Sequence, residues 1–394
     1  MYLISYILYI GIIHVPLSLS SAIRPRTHTT SQMGDTAKQR LSDILAAAIP
    51  SSHPHKYRVH YLQSTPSKHA SLYPGRQRTP KSPSKASSTT CQHHLLLLSY
   101  EAKFIYAIEV LIYKTPDSRP IIYVSKADTT GYAPVSISRP VTTAFLEYLV
   151  NVTGGGNIQL FARSQPQYIF PFSASNGRKH VLDDIQLIKW WLRVLSPLNG
   201  VGKVYIPGVA KRKLESYYPD KGKWECEPPG GTEGLAKDLI PVFPDDPKAR
   251  FLHDLKGDGL LGTTTVKQFW ELMEHRQECS SGRLVGFISM SVDHAVRVET
   301  EAHVVVNEKQ FIRAYEMILN GEYSSEEAAS GATTKWIEAI LVIISKEIKE
   351  LWGFELIPSG KESEQINAGV KRPVDKVKPV NMLGGTFVRK KPKK

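Results

Sequence analysis

The sequence predicts an α/β protein in which one large domain occupies most of the 394 residues. Three observations lead to this prediction. Apolar, β-rich runs dominate residues 91–128, strands and helices alternate through the middle of the chain, and helical periodicity dominates its last third. Together they indicate a single domain of about 330 residues, which we place at 33–359.

The elements can be assigned in order from their patterns. Strands are assigned to runs rich in β-branched and aromatic residues that lie between turns. Helices are assigned where apolar residues recur three and four positions apart. Asp246-Pro247 is a typical helix start and Gly154 a typical helix end. The predicted strands are 56–63, 91–100, 103–113, 119–128, 158–170 (running into a loop), 203–208 and 284–290. The predicted helices are 33–50, 142–152, 180–196, 245–255, 265–277, 308–319 and 334–354. Residues 64–90 are predicted as a flexible basic loop and 211–245 as a long polar loop.

The two ends of the chain differ from this domain. Residues 1–32 contain an apolar stretch, but no positive residue precedes it, and His14 and Pro16 interrupt it. These features argue against a secretory signal and a membrane span. We interpret 1–32 as a doubtful N-terminal extension, with a genuine signal sequence as the alternative. Residues 360–394 are predicted to be a basic disordered tail.

The formal net charge of +13 suggests a nucleic-acid partner until the charge is divided by region. Residues 1–94 carry +9, residues 360–394 carry +7, and residues 95–359 carry −3. The predicted fold is therefore slightly acidic between basic ends. That distribution favours a protein that handles a basic partner over one whose folded surface binds DNA.

Several common sites are absent from the sequence. Cys91, His93 and His94 cluster, but strand alternation places them on different faces, and no CxxC or HExxH occurs. Residues 200–203 lack the rest of a P-loop, and no GxSxG is present. We therefore expect no metal ion.

Three segments contain residues that core packing alone does not explain. Asp128 ends an apolar strand, where it either caps a turn or projects into a site. Arg163, Arg178, Lys179 and His180 gather before a helix, which makes an anion site. Trp190 and Trp191 lie about 100° apart on that helix, so either both are core residues or one lines a pocket. Asp245 and Asp246 lie between prolines just before Lys248; capping explains Asp246 but not Asp245.

These segments resemble the fungal histone H3 lysine acetyltransferases of the regulator-of-Ty-transposition family. The matching stretches are IIYVSKADTTGY, LFARSQPQYIFP, KHVLDDIQLIKWW and FPDDPKARF, in the family's order from about Met33 to the C-terminus. The resemblance implies a mixed central sheet surrounded by helices, similar to CBP-type acetyltransferases. It also implies acetyl-coenzyme A as cosubstrate, and its cofactor-binding residues fall on Ala127, Phe161, Ala162, Arg163, His180, Val181, Leu182 and Trp190.

The resemblance also implies the catalytic and partner assignments. The acceptor side falls on Asp246, Asp245, Asp128, Trp191 and Tyr168, with Asp246 in the proton-transfer role, and Lys248 matches an autoacetylated lysine. The implied target is histone H3 in the H3–H4 dimer, chiefly its lysine 56 and also tail lysines. Histone chaperones of the anti-silencing and nucleosome-assembly-protein types would present the dimer, without a membrane or a specific DNA site. The implied location is the nucleus, with roles in nucleosome assembly, replication and the DNA damage response.

The sequence departs from the family in one region. A longer helical insertion usually follows the VSKAD strand and contacts a chaperone, whereas residues 133–157 are short here. The alternative function is a non-enzymatic chromatin or nucleic-acid binder that uses the basic ends. FPDDPKARF and the tryptophan helix distinguish the two, because a binder would not need them.

Overall fold

The computed structural model describes residues 40–76, 89–115, 118–276, 283–293, 303–344 and 352–361. The strands in these residues form one mixed sheet. The bounds of the strands are β1 Tyr57–Ser64, β2 Ser67–His69, β3 Thr89–Tyr100, β4 Lys103–Lys114, β5 Ile121–Thr129, β6 Gly155–Ala162, β7 Gly200–Tyr205, β8 Trp224–Cys226, β9 Gly286–Asp293, β10 Val304–Val306 and β11 Phe354–Leu356. The sheet order is β10-β1-β3-β4-β5-β6-β9-β7-β8, with β11 on β1 and β2 on β3.

Helices cover this sheet, which confirms the predicted fold class. Their bounds are α1 Leu41–Ala47, α2 Ser138–Thr153, α3 Asp184–Leu195, α4 Lys211–Glu215, α5 Ala236–Leu239, α6 Pro247–Gly257, α7 Val266–Met273, α8 Glu308–Leu319 and α9 Glu326–Ile343. Short 3-10 helices occur at Pro74–Arg76 and Ser173–Ser175. None of the helices in the described part of the chain is long and apolar enough to cross a membrane.

Both faces of the central strands are buried. On β1, the ring of His60 contacts Trp336 of α9, whereas the next residue, Tyr61, contacts Phe145 and Tyr148 of α2. Strands buried on both sides have no exposed face to keep polar, so they appear as continuous apolar runs. This explains why β3 and β4, which carry the LLLL and IYAIEVLIY runs, show no alternation.

The structure corrects several predicted elements. The predicted loop 64–90 contains β2, which pairs with the start of β3. The predicted loop 211–245 contains α4, β8 and α5, and β10 was not predicted at all. Elements of three to five residues are too short for periodicity to show, and they form because longer neighbours offer pairing partners.

The bounds of several predicted helices differ from those observed, and two of these differences have a clear cause. The helix placed at 180–196 starts at Asp184, because Asp183 and Gln186 form a reciprocal capping box. The helix placed at 334–354 begins at Glu326 after its Ser325 cap and ends at Ile343, and Phe354 belongs to β11 instead. Residues 1–39, which include the start of the predicted first helix, and the tail from 362 lie outside the described residues.

Candidate active site

The candidate site is a cavity where two parallel strands separate. β5 and β6 pair only through Ile121–Tyr123 and Asn157–Gln159, although both strands continue beyond that point. A cavity of about 390 Å³ lies there, lined by 124–129 of β5, by Leu160 and Phe161 of β6, and by Leu187, Trp190 and Trp191 of α3. Its volume falls in the range of small-molecule sites.

Seven of the eight predicted cofactor residues line this cavity: Ala127, Phe161, Arg163, His180, Val181, Leu182 and Trp190. Ala162 does not line the cavity; its side chain packs in the main core and is 1% exposed. Both tryptophans line the cavity; Trp191 is buried, Trp190 is half-buried, and their rings meet edge to face at 4.8 Å.

The predicted cluster of four cations is assembled at the cavity, but two members are already paired. Arg178 binds Glu326 of α9, and Lys179 binds Asp128. No carboxylate of the described residues pairs with Arg163 or His180, which leaves these two as candidate phosphate ligands. The N-terminus of α3 is not part of the anion site, because its own Asp183 side chain caps it.

Asp128 is fully hydrogen-bonded rather than free. Its Oδ2 accepts from the backbone N–H groups of Tyr168, Ile169 and Phe170 at 2.8, 2.9 and 3.1 Å. Its Oδ1 accepts from the N–H of Thr129 and from Lys179 Nζ, both at 2.8 Å. Lys179 Nζ also donates to Ser173 Oγ at 2.8 Å. The carboxylate therefore fixes the loop after β6 against the end of β5.

That loop presents Tyr168 to the cavity. Burial raises the pKa of Tyr168 to about 12, so the phenol stays protonated at neutral pH. Its hydroxyl donates to the carbonyl of Arg163. Tyr168 is thus a cavity wall and a loop brace, and its proton is not available to a base.

The Pro-Asp-Asp-Pro segment covers the opposite face of the sheet from α3. Along β5, Ile122 and Val124 pack in the main core, while Tyr123 packs in a second cluster that contains Phe243. The rings of Tyr123 and Phe243 stack at 4.1 Å, and Tyr123 Oη donates to the Pro244 carbonyl at 3.1 Å. Asp245 and Asp246 therefore lie behind the separated strands and do not line the cavity.

Asp246 and Lys248 form a buried pair at the start of α6. Asp246 is 0% exposed; its Oδ1 accepts from the Lys248 N–H at 2.9 Å, and its Oδ2 contacts Lys248 Nζ. The capping role predicted for Asp246 is confirmed. Lys248 Nζ also lies 4.8 Å from the ring centre of Phe287, whose cross-strand partner is Phe161 on the cavity wall. Phe287 thus contacts the pair and lies beside a residue of the cavity wall.

Asp245 connects to the cavity through a lysine that the sequence did not single out. Its backbone is left-handed, with φ +58°, and its Oδ2 accepts from Lys126 Nζ at 2.7 Å. Lys126 lines the cavity beside Ala127. Each of the three candidate carboxylates is therefore paired with one lysine: Asp128 with Lys179, Asp245 with Lys126, and Asp246 with Lys248.

The sequence pattern does not predict that the Lys126 side chain lies on the same face of the sheet as Asp245. The register between β4 and β5 shifts at Glu109/Val110, which inserts Ser125 as an extra residue. Such a bulge reverses the alternation that follows it. Lys126 therefore faces the same side as Tyr123 instead of the side of Val124. No group of three or more His, Cys, Asp or Glu residues in the described ranges could hold a metal ion.

The comparisons with known proteins identify the family and agree with the fold. The chain matches the family model of the histone acetyltransferase KAT11-type domain over residues 41–156 and 154–339. It is 32% identical to the histone acetyltransferase rtt109 of Aspergillus flavus, over 64% of this chain and 56% of that relative. It is 31% identical to the rtt109 of Schizosaccharomyces pombe, over 63% of this chain and 74% of that relative. The crystal structure of Rtt109 from Aspergillus fumigatus superposes with a TM-score of 0.70 at 28% identity, covering 82% of this chain and 100% of that one. The match thus spans little more than half of the A. flavus relative.

Proposed function

The chain belongs to the KAT11-type histone acetyltransferase family, and on that premise we propose that it transfers acetyl groups from acetyl-coenzyme A to lysines of histone H3. The observation that carries the proposal is the cavity between β5 and β6, with Arg163 and His180 unpaired by the described carboxylates on the α3 side and Asp245 and Asp246 on the other. Donor and acceptor can then meet from opposite faces of the sheet.

The donor side would hold acetyl-coenzyme A. Arg163 and His180 would bind its phosphates, because cationic donors form the strongest hydrogen bonds to such oxygens. Trp190, Leu182 and Phe161 would form apolar walls for the pantetheine arm, and backbone groups near Ala127 would pair with its amides. Val181 and the backbone of Ala162 complete the set that the resemblance assigns.

Positioning residues would keep this site in shape. Asp128 holds the loop that carries Tyr168, and the Lys179 pair ties the same carboxylate to the segment that carries His180. Pre-organised groups contribute most when nothing has to move during the reaction. We therefore give Asp128 a positioning role, and assign Tyr168 and Trp191 to the walls of the lysine channel.

Acetyl transfer requires a neutral amine, whereas a free lysine is protonated at pH 7. Asp245, which is 68% exposed in its side chain, would attract the incoming ammonium. Asp246 would accept the proton as the amine nitrogen attacks the thioester carbonyl. As it stands, Asp246 already holds Lys248, so its oxygens are occupied.

Autoacetylation of Lys248 would remove this obstacle. The acetyl group would neutralise a side chain that is 4% exposed and would leave Asp246 without its counter-ion. A buried carboxylate that has lost its cation gains by taking a proton. The modification would in this way prepare Asp246 for proton transfer.

The substrate and cellular roles follow from the family. We propose lysine 56 of H3 as the main target, with tail lysines also used, in an H3–H4 dimer presented by chaperones of the anti-silencing or nucleosome-assembly-protein type. The protein would act in the nucleus on chromatin, in nucleosome assembly, replication and the DNA damage response. Because α2 is followed directly by β6, no inserted helix between them is available for a chaperone contact.

The test is an acetylation assay on H3–H4 with and without chaperone, measured by mass spectrometry at each lysine. Transfer to lysine 56 that increases with chaperone is the expected result. Strong, salt-sensitive DNA binding without any transfer would instead favour a chromatin-binding protein. Freshly purified protein should carry acetyl on Lys248, and its absence after incubation with acetyl-coenzyme A would contradict that assignment.

A further inference from the structure

Two lysines line the described cavity, and they differ in how they are held. Lys179 is closed in: its side chain is 5% exposed, and its Nζ contacts both Asp128 and Ser173. Lys126 is 21% exposed, and the partner that the structure gives its Nζ is Asp245. Lys126 is thus the lysine with freedom to move within reach of the cavity.

The surroundings of Lys126 match those proposed for an incoming substrate lysine. It sits on the strand that borders the cavity, next to Ala127, and it faces the side on which Asp245 and Asp246 lie. Its cross-strand neighbour is Glu109, a carboxylate that is 6% exposed. Asp245 keeps a left-handed backbone, unusual for a residue other than glycine, while its carboxylate meets the Lys126 ammonium.

We propose that Lys126 is an acetyl acceptor of its own active site, modified in cis when the acetyl donor occupies the cavity. The inference rests on the proposed acetyl transfer. Asp245 takes a proton from the Lys126 ammonium, and the neutral Nζ attacks the thioester carbonyl carbon. The N–C amide bond forms as the C–S bond breaks, and the coenzyme A thiolate leaves and receives that proton.

The modification changes the acceptor side of the site. Acetylated Lys126 carries no charge, so Asp245 loses the cation that it now binds. The acceptor side becomes more negative by one charge, beside the cross-strand neighbour Glu109. A more negative acceptor side attracts a basic histone more strongly, so acetylation of Lys126 lowers the KM for H3–H4.

The experiment follows incorporation of isotope-labelled acetyl from acetyl-coenzyme A into the full chain without histone, site by site by mass spectrometry. Lys203 is the matched control, because it is also a strand lysine paired with a carboxylate, at 2.8 Å from Glu227, but it does not line the cavity and is more exposed. We expect Lys126 to be modified at least about ten-fold faster than Lys203, as positioned groups react at high effective molarity. The rate per molecule should not change on dilution.

Three outcomes would overturn the proposal: equal or faster labelling of Lys203, a rate that falls on dilution, or no label on Lys126. The same preparation is assayed on H3–H4. Histone acetylation without label on Lys126 rejects this inference alone, whereas absence of both rejects the proposed function. Lys126→Arg keeps the charge and the Asp245 pair but cannot be acetylated in this way. In the Lys126→Arg variant, pre-incubation with acetyl-coenzyme A should no longer lower the KM for H3–H4. In the Lys203→Arg variant, the same pre-incubation should still lower that KM.

Discussion

The two sides of the separated strands are built on different principles. The α3 side is an open cavity with Arg163 and His180 left unpaired by the described carboxylates. On the opposite side, the carboxylates Asp245 and Asp246 already hold lysines of the same chain. In the proposed reaction, the first side would receive the anionic donor, whereas the second would give up an internal cation before it accepts a substrate lysine. The difference suggests that regulation acts on the acceptor side.

The largest effect is expected from removal of Asp128, the residue that supports both sides. Asp128→Ala leaves the Lys179 ammonium buried without its counter-ion and frees three backbone N–H groups of the Tyr168 loop. Loss of one partner of a buried pair costs about 3–5 kcal/mol. We expect urea unfolding to show a loss of that size and acetyl transfer to vanish. Lys203→Met, which breaks an exposed pair, should change stability by less than about 1 kcal/mol; an equally small loss for Asp128→Ala would contradict its positioning role.

The next change tests the acceptor side alone. Asp246→Asn keeps a side-chain oxygen for the Lys248 N–H but cannot take a proton as a carboxylate does. Removal of a general base lowers rates by about 100-fold or more. We expect kcat to fall by that factor and its pH profile to change, with the KM for acetyl-coenzyme A nearly constant. Glu227→Gln neutralises another lysine-paired carboxylate away from the cavity and serves as the control. An unchanged rate and pH profile would exclude Asp246 as the proton acceptor.

A third change tests the donor side alone. Arg163→Ala removes a cation that lines the cavity, and a hydrogen bond to a charged group contributes about 1.5–3 kcal/mol. We expect the KM for acetyl-coenzyme A to rise at least about ten-fold while the KM for H3–H4 stays the same. Arg193→Ala, which removes an exposed arginine of α3 that does not line the cavity, should alter neither constant. A rise in the histone KM would show that the two sides are not separate.

The sequence predicted the donor side better than the acceptor side, for a physical reason. Arg163 and His180 both precede the same helix, so the sequence pattern predicted their grouping, whereas Ala127 was assigned by the family resemblance. The acceptor side depends on a bulge at Ser125 that turns Lys126 over, and on an ion pair between two segments more than a hundred residues apart. Neither leaves a local pattern. The capping of Asp246 was predictable because it involves only neighbours in sequence.

The smallest expected effect concerns the sheet that both sides share. Burial lowers the pKa of His60 and His94 to about 3 and that of His303 to about 4, so all three are neutral in the folded protein at pH 5.5. In the unfolded chain they titrate near 6.5. The unfolded state therefore binds more protons below pH 6.5, and stability is lost as the pH falls. Between pH 7.5 and 5.5 each histidine should lower the free energy of unfolding by about 1.4 kcal/mol, measured by urea unfolding.

His60 offers a direct check, because neither of its ring nitrogens has a hydrogen-bond partner among the residues that the structure describes, and its ring packs against Phe104 and Trp336. His60→Phe keeps an aromatic ring in place and removes the titrating group. The pH dependence of stability should then decrease by the share of one histidine. If the slope were unchanged, His60 would not be the group that binds a proton on unfolding. The sheet supports the donor and acceptor sides alike, so acid should reduce the binding of acetyl-coenzyme A and of H3–H4 in the same pH range. If only one of the two binding affinities were lost, a titrating group on that side of the strands would be required.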